Sequence, residues 1–355
     1  MTAIRRIPLL LACLGLLAAG LVACGSSDEA TGGATDPDTE TNAGVAEAGA
    51  FPVTIEHKWG STTIDSPPER VVVAGLREQD ALIALGVVPV ATTEWFGEHP
   101  GGIFPWAEDE LGDAPLPEVL DFTDGLQFEK IAAARPDLII AIYSGLSKED
   151  YEKLSAIAPT IAQPPGQIDW GASWQEEILT VGEAVGKPVE AQRLLDKAEG
   201  EIAAVAREHP EFKGKTALVG TFYEGLYAYG PDDARSKLMV DLGFTYPPSM
   251  KDFAGDEFGA TVPDEEVSKL DVDALVWFAS PKLADQISRQ PVYSGLDVHK
   301  QGRDIFIDEK GAFYESTSFI SVLSMPTLLK GLVPLLANAV DGDPQTPTDG
   351  SSQAG

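Results

Sequence analysis

The segment from Ser173 to His209 constrains the fold most, because it has the pattern of two consecutive helices between halves of similar size. Ser173 followed by Glu176 is the start of a capping box, and a Gly-Lys-Pro break places Pro188 in the first turn of a second helix. Pro210 ends the pattern. The apolar face of the second helix recurs every three or four residues: Ala191, Leu194, Leu195, Ala198, Ile202, Val205 and Ala206.

A helix of about twenty residues rises about 30 Å, which is the diameter of a small domain. A rod of that length between two structured halves predicts a connector that joins two lobes. The alternative is an ordinary surface helix of one large domain.

Alternating strand and helix patterns on both sides of this segment predict two α/β lobes. Before it, residues 70–74 (RVVVA) form a buried parallel-type strand, followed by a helix and a second strand. After it, Lys215–Thr221, Asp273–Phe278 and Asp304–Ile307 have strand patterns, and residues 319–339 are helical. The expected divisions are an N-terminal lobe at 51–170, a connecting helical segment at 171–210 and a C-terminal lobe at 211–340.

The N-terminus carries a targeting signal. Arg5 and Arg6 precede an apolar run that ends in Leu-Val-Ala before Cys24, so a basic region and a short apolar region end in small residues before a cysteine. This resembles the bacterial lipoprotein signal, which implies cleavage after residues 1–23 and lipidation of Cys24. A transmembrane anchor is the alternative, but the run is short for a span and no basic cluster follows it.

Composition excludes several functions. The formal net charge of −31 argues against binding to a nucleic-acid backbone, which requires an excess of Lys and Arg. Removal of Cys13 with the signal leaves no cysteine pair for a disulfide and no thiol nucleophile. Residues 24–50 have the composition of a flexible tether, and residues 341–355 that of a disordered tail.

Two glutamates occupy matching places in the two halves. When residues from Phe128 are placed over residues from Asp264, Glu129 pairs with Glu265 and Asp137 pairs with Asp273 without a gap. Each glutamate opens a short helix and each aspartate begins a buried strand. The glutamates could serve only the helix dipole, or form a two-point docking surface for a partner, and the spacing alone favours neither.

Motifs of enzymes and metal sites are scarce. The chain has no Gly-x-Ser-x-Gly elbow, no phosphate-binding Gly-rich loop followed by Lys-Ser/Thr, and no His-Glu-x-x-His. The four histidines are far apart in sequence and lie in or beside turns, so we expect no metal bound directly by the protein and no catalytic residues.

Aromatic residues instead recur at the ends of strands. Ligands of open α/β sheets bind outside the carboxyl ends of strands, so this pattern predicts a cleft for a large, partly flat ligand. Arg77 and Arg235 lie where they could meet an anionic or oxygen-rich ligand, although each could also be a solvated charge. The predicted ligand-binding residues are Arg77, Trp95, Phe96, Tyr143, Phe222, Tyr223, Tyr227, Arg235, Trp277 and Tyr314.

Several segments together resemble one family, the lipid-anchored substrate-binding proteins of iron-siderophore ABC importers. They are PPERVVV, LIALGVVPVATTEW, EKIAAARPDLIIAIYSG, YEKLSAIAPT, and the LGF that follows YGPDDARSKLMV, and the resemblance spans roughly Pro68 to Leu336. It implies the class III binding-protein fold, in which a single long helix joins two α/β lobes as a stiff hinge. It also implies that Glu129 and Glu265 contact arginines of the membrane permease.

The function that follows is capture of a ferric siderophore outside the cell membrane and its delivery to an ABC permease. The siderophore's own oxygens would hold the iron, so no cofactor of the protein is expected, and the chain is expected to be a lipid-anchored monomer. Few clustered cations are available for a trianionic catecholate complex, which favours a hydroxamate or mixed ligand. Haem or cobalamin would be bound by the same fold, and a cell-surface hydrolase is the alternative from another class.

Overall fold

The computed structural model describes residues 45–94, 96–123, 125–255 and 257–348. The predicted signal peptide, Cys24, most of the tether, Trp95 and the end of the tail lie outside the described residues. All of these described residues belong to one compact unit.

The N-terminal part begins with a hairpin and continues as alternating strands and helices. Its elements are β1 (Val53–His57), β2 (Gly60–Ile64), β3 (Val71–Val73), α1 (Glu78–Ala84), β4 (Ala91–Glu94), α2 (Glu108–Leu111), β5 (Glu118–Asp121), α3 (Phe128–Ala133), β6 (Leu138–Ala141), α4 (Lys148–Ser155) and β7 (Thr160–Ala162). Two short 3-10 turns lie at Pro100–Gly102 and Pro105–Ala107.

Two helices follow, α5 (Trp174–Ala184) and α6 (Pro188–Glu208), with a 3-10 turn at Pro210–Phe212. The C-terminal part again alternates. Its elements are β8 (Ala217–Phe222), β9 (Leu226–Tyr229), α7 (Ala234–Asp241), α8 (Pro248–Ala254), β10 (Gly259–Val262), a 3-10 helix (Asp264–Leu270), β11 (Ala274–Phe278), α9 (Pro281–Ser288), α10 (Asp297–Lys300), β12 (Asp304–Ile307), α11 (Gly311–Ser318) and α12 (Met325–Val340).

Each part is built on a five-stranded sheet with the same strand order. The N-terminal sheet runs β5-β4-β3-β6-β7, all parallel. The C-terminal sheet runs β10-β9-β8-β11-β12, in which β8, β11 and β12 are parallel and β9 is antiparallel to both neighbours. In each sheet the chain order reverses beside the strand that comes first in sequence, β3 or β8. Such a switch point is where open α/β sheets bind ligands.

The two aspartates of the internal match have the same structural role in both sheets. Asp137, at the start of β6, accepts the backbone N–H groups of Glu69 (2.8 Å) and Arg70 (2.9 Å), just before β3. Asp273, at the start of β11, accepts the backbone N–H and the hydroxyl of Thr216, at 2.8 and 2.9 Å, just before β8. Each aspartate therefore fixes the register of the two strands that flank the switch point.

The connecting segment has the predicted helical form. Ser173 and Glu176 make both bonds of the capping box, and Pro188 opens the 21-residue helix α6. Gly182 lets α5 approach α6 closely, because a Cβ at this position would lie 2.3 Å from the Cβ of Ala191. No helix within the described residues has both the length and the apolar character needed to cross a membrane.

One continuous hydrophobic cluster runs through both sheets and the helices between them. It contains Val73 of β3, Val276 of β11, and Ala191, Leu195 and Ile202 of α6. The apolar face of α6 packs against α5, α7 and α12. We expect a stiff connection, because rotation of one lobe against the other would open these close-packed apolar contacts.

Candidate ligand-binding cavity

A cavity of about 420 Å³ lies between the two sheets. On the N-terminal side its wall comes from loops at the carboxyl ends of β3, β4, β5, β6 and β7. On the C-terminal side it comes from β9, the start of α7, the residue before β10, and α11. Its lining residues are Leu76, Phe96, Phe122, Tyr143, Trp170, Tyr229, Arg235, Phe258, Tyr314, Ser318 and Phe319. This volume and mostly aromatic lining are typical of a small-molecule site.

Tyr143 and Trp170 form one aromatic corner of the cavity. Their ring centroids are 5.4 Å apart and nearly perpendicular, an edge-to-face arrangement. Trp170 has a φ of 63°. Gly145 leaves room for its indole, since a Cβ at Gly145 would lie 2.6 Å from the indole nitrogen. This corner therefore depends on a glycine and on a backbone conformation that few side chains adopt.

A second aromatic wall joins the two halves of the molecule. Phe96, which follows β4, stacks on Phe319 with ring centroids 4.8 Å apart, and lies 6.0 Å from Tyr314 of α11. The ring of Phe104 also packs against Phe319, with ring centroids 4.9 Å apart. This wall is therefore built from rings of both lobes and not of either lobe alone.

Arg235 is the one cation among the described residues that line the cavity. Asp233, the N-cap of α7 and 2% exposed, accepts two hydrogen bonds from the guanidinium, from Nε at 2.7 Å and Nη2 at 2.6 Å. The guanidinium carbon also lies 3.7 Å from the ring centre of Tyr229. Burial lowers the pKa of Arg235, but the carboxylate of Asp233 raises it more, so the net shift is upward and Arg235 stays charged. These two parallel hydrogen bonds fix the orientation of the guanidinium, and the Arg235–Asp233 pair has almost no net charge.

A cluster of buried polar residues lies behind the Tyr143 corner. Arg77 and Glu177 form an ion pair with Nε and Oε2 2.7 Å apart, and both side chains are almost fully buried. Burial raises the pKa of Glu177 to about 8, although the Arg77 guanidinium opposes the rise. Burial likewise raises the pKa of Asp80 to about 6, against hydrogen bonds from Ser321 and Trp106. Buried acids therefore outnumber buried cations here, and Arg77 is the charge that stabilises the carboxylate of Glu177.

Four of the ten predicted ligand-binding residues line the cavity: Phe96, Tyr143, Arg235 and Tyr314. Trp95 lies outside the described residues. Arg77 was expected to meet the ligand directly, but it is 1% exposed and lies behind Tyr143 instead of in the wall.

Trp277, also predicted to bind ligand, does not line the cavity. Successive residues of a strand point to opposite faces, and in β11 it is Phe278 that packs towards Tyr314, with ring centroids 5.8 Å apart. Trp277 is 0% exposed, and its indole N–H donates to the hydroxyl of Tyr293 at 2.8 Å in a separate core cluster. It is a core residue.

Three other predicted aromatics do not reach the cavity wall. Phe222 packs against the same core cluster as Trp277, and Tyr223 is 68% exposed in the turn after β8. Tyr227 packs its ring against Tyr229, with centroids 5.6 Å apart, and only Tyr229 lines the cavity.

Several lining residues were not among the predicted set. Phe122 directly follows β5, so the same rule of an aromatic residue at a strand end identifies it. Tyr229 ends β9 in the same way. Leu76, Trp170, Phe258, Ser318 and Phe319 carry no such signal, because folding of distant segments brings them to the site.

The two glutamates of the internal match lie at exposed positions. Glu129 is in the first turn of α3, and Glu265 is in the first turn of the 3-10 helix at Asp264–Leu270. In the part of the chain that the structure describes, no group of three or more His, Cys, Asp or Glu side chains is placed to hold a metal ion.

The two lobes have the same strand order, are joined by the long helix α6 and enclose an aromatic cavity. These features define a binding protein of the two-lobed class. Residues 71–310 match the periplasmic binding protein family, and the chain belongs to that family.

Similar proteins support this assignment over most of the chain. A periplasmic solute binding protein from Mycobacterium smegmatis is 36% identical, with a TM-score of 0.70 over 81% of this chain and 98% of that one. The iron-uptake protein PiaA from Streptococcus pneumoniae, solved in complex with ferrichrome, is 29% identical, with a TM-score of 0.74 over 82% of this chain and 99% of that one. YhfQ from Bacillus subtilis, a putative ABC transporter substrate-binding lipoprotein, is 27% identical over 63% of this chain and 69% of its own length.

Proposed function

We propose that this protein captures a ferric siderophore in the aromatic cavity and delivers it to an ABC permease. The observation that carries the proposal is the chemistry of the cavity wall, which is aromatic apart from Leu76, Ser318 and the Arg235–Asp233 pair. A ligand that brings its own iron-binding oxygens needs only apolar surface and a few donors from the protein.

The charge of the cavity wall distinguishes between classes of ferric siderophore. A complex of Fe³⁺ with three hydroxamates is neutral, whereas a complex with three catecholates carries three negative charges. Arg235 presents its charge with the carboxylate of Asp233 bound to it, so the described wall offers a trianion little net attraction. We therefore assign a hydroxamate or mixed siderophore to the cavity, and the ferrichrome complex of PiaA supports that assignment.

Titration of intrinsic tryptophan fluorescence tests the proposal, since Trp170 lines the cavity and Trp106 lies within 4.7 Å of Phe104 between ring centroids. We expect quenching by ferrichrome or ferrioxamine B, with at least tenfold weaker binding of ferric enterobactin. Metal-free ligands, haem and cobalamin are the controls. Haem or cobalamin binding more tightly than every ferric siderophore would refute the proposal.

Docking to the permease is assigned to Glu129 and Glu265. Both carboxylates are exposed and open equivalent helices of the two lobes, which places one negative charge on each lobe for pairing with cations of a membrane partner. The predicted signal and Cys24 would hold the protein on the outer face of the cell membrane by a lipid anchor, as a monomer.

Charge reversal separates docking from capture. We expect the Glu129→Lys and Glu265→Lys double variant to abolish siderophore uptake by cells, while its ferrichrome affinity in solution stays within twofold of wild type. Glu149→Lys and Glu201→Lys, which reverse two acids outside the internal match, form the matched control for net charge. Weakened ferrichrome binding by the first variant would place these glutamates in the ligand site.

A further inference from the structure

Arg77 and Glu177 lie behind the cavity wall, yet they hold the ring that forms part of it. The guanidinium carbon of Arg77 is 3.9 Å from the ring centre of Tyr143. The Tyr143 ring has the cation on one side and the edge-to-face contact with Trp170 on another. A cation over a desolvated ring face is an attractive contact that resists rotation of the ring away from it.

The backbone of Tyr143 is held by Glu78, the residue that follows Arg77. One oxygen of the Glu78 carboxylate accepts the N–H groups of Ile142 at 2.6 Å and Tyr143 at 2.7 Å. The N–H of Leu76 in turn donates to the carbonyl of Tyr143 at 3.2 Å. Three consecutive residues after β3 thus fix the chain after β6 at the switch point of the sheet.

Arg77 also connects this corner to the segment between the lobes. Its Nε donates to Glu177 of α5 at 2.7 Å, and its Nη2 donates to the carbonyl of Ala172 at 2.7 Å. Ala172 is two residues after Trp170, the other member of the corner. The guanidinium therefore contacts Tyr143 while it binds the chain that carries Trp170.

We propose that Arg77 and Glu177 are positioning residues for the ligand site: their buried ion pair sets the orientation of Tyr143 relative to Trp170, without touching ligand. The expected effect of this ion pair on ligand affinity rests on the proposed function. Its expected effect on the orientation of the Tyr143 ring does not. A planar guanidinium can stack on the ring and bind two oxygens at once, which an ammonium cannot do.

A double-mutant cycle tests the inference. Removal of one partner leaves a buried charge unpaired, so the pair is replaced together, as Arg77→Met with Glu177→Leu, which keeps the volume filled. We expect ferrichrome affinity to fall about 10- to 100-fold with a circular dichroism spectrum like that of wild type. In a Tyr143→Ala background the same double change should lower affinity less than threefold. An equal loss in both backgrounds would refute action through Tyr143.

The matched control is Arg70→Met. Arg70 directly precedes β3, at the end of the strand away from the cavity, and its Nη2 donates to the carbonyl of Ala134 at 2.6 Å. Its loss should therefore not alter ferrichrome affinity. Arg77→Lys keeps the positive charge but removes the planar guanidinium, and it should give an intermediate ferrichrome affinity. Full affinity in Arg77→Lys would contradict a role for the guanidinium plane.

A measurement without ligand separates this inference from the proposed function. In protein labelled with 3-fluorotyrosine, the ¹⁹F resonance of Tyr143 is identified by its loss in Tyr143→Phe. We expect separate signals for the two ring orientations in wild type, and one averaged signal in the Arg77→Met, Glu177→Leu variant. Identical Tyr143 spectra in the two proteins would overturn the positioning role. If wild type bound no ferric siderophore, the proposed function would fail while this test remained decisive.

Discussion

Replacement of Arg235 by Met is expected to weaken ferrichrome binding by about 100-fold. Met fills a similar volume but removes the donors that the guanidinium offers to ligand oxygens. Two hydrogen bonds that involve a charged group, at about 1.5 kcal/mol each, correspond to roughly this factor. The change also removes the charge that balances Asp233, whose carboxylate then faces a largely dehydrated wall. Fluorescence titration or isothermal calorimetry measures the effect.

The matched control for Arg235→Met is Tyr223→Ala. Both residues follow strands of the C-terminal sheet and both were predicted to bind ligand, but Tyr223 is 68% exposed and outside the cavity wall. We expect its loss to change ferrichrome affinity less than twofold. A larger effect of Tyr223→Ala than of Arg235→Met would mean that the ligand site lies outside this cavity.

Replacement of Trp277 by Ala is expected to lower the free energy of unfolding by about 3–5 kcal/mol, the usual cost of deleting a large core aromatic residue. The side chain is 0% exposed, so the deletion leaves a cavity among the residues of its cluster. It also removes the N–H that the hydroxyl of Tyr293 accepts, within a chain of bonds that continues to Asp304 at 2.9 Å. Urea denaturation followed by circular dichroism measures the loss.

Ferrichrome affinity distinguishes a core role from a ligand role at this position. The folded fraction of Trp277→Ala should keep wild-type affinity, since the side chain points away from the cavity. Trp277→Phe retains most of the apolar contact and should cost less, about 1–2 kcal/mol, chiefly from loss of the hydrogen bond to the Tyr293 hydroxyl. A loss of affinity with little loss of stability would show that Trp277 belongs to the site after all.

Short-range patterns were enough to predict the architecture. The capping box at Ser173, the proline at position 188 and the periodicity of α6 depend on neighbouring residues, and the structure confirms all three. The internal match likewise predicted two equivalent parts, and Asp137 and Asp273 make equivalent bonds in the two sheets. Such features can be predicted because the residues that specify them are close together in sequence.

The candidate site was predictable only in part. Phe96 and Tyr143 could be identified because the carboxyl ends of parallel strands converge at a switch point. Trp277 satisfies the same rule but lies outside the cavity wall, because the rule gives the end of a strand and not the face on which a side chain lies. A buried strand is apolar on both faces, so its sequence does not show which face meets the cavity.

The sequence by itself therefore determined the helical connector, the strands, and the likeness of the two halves, since each depends on periodicity or on residues a few positions apart. Only the tertiary structure decided that Arg77 is buried behind Tyr143 while Arg235 lines the cavity. Arg77 finds Glu177 a hundred positions further along the chain, while Arg235 finds Asp233 two positions before it. Burial of the Arg77 charge depends on a distant partner that the fold brings to it, and no local pattern specifies that partner.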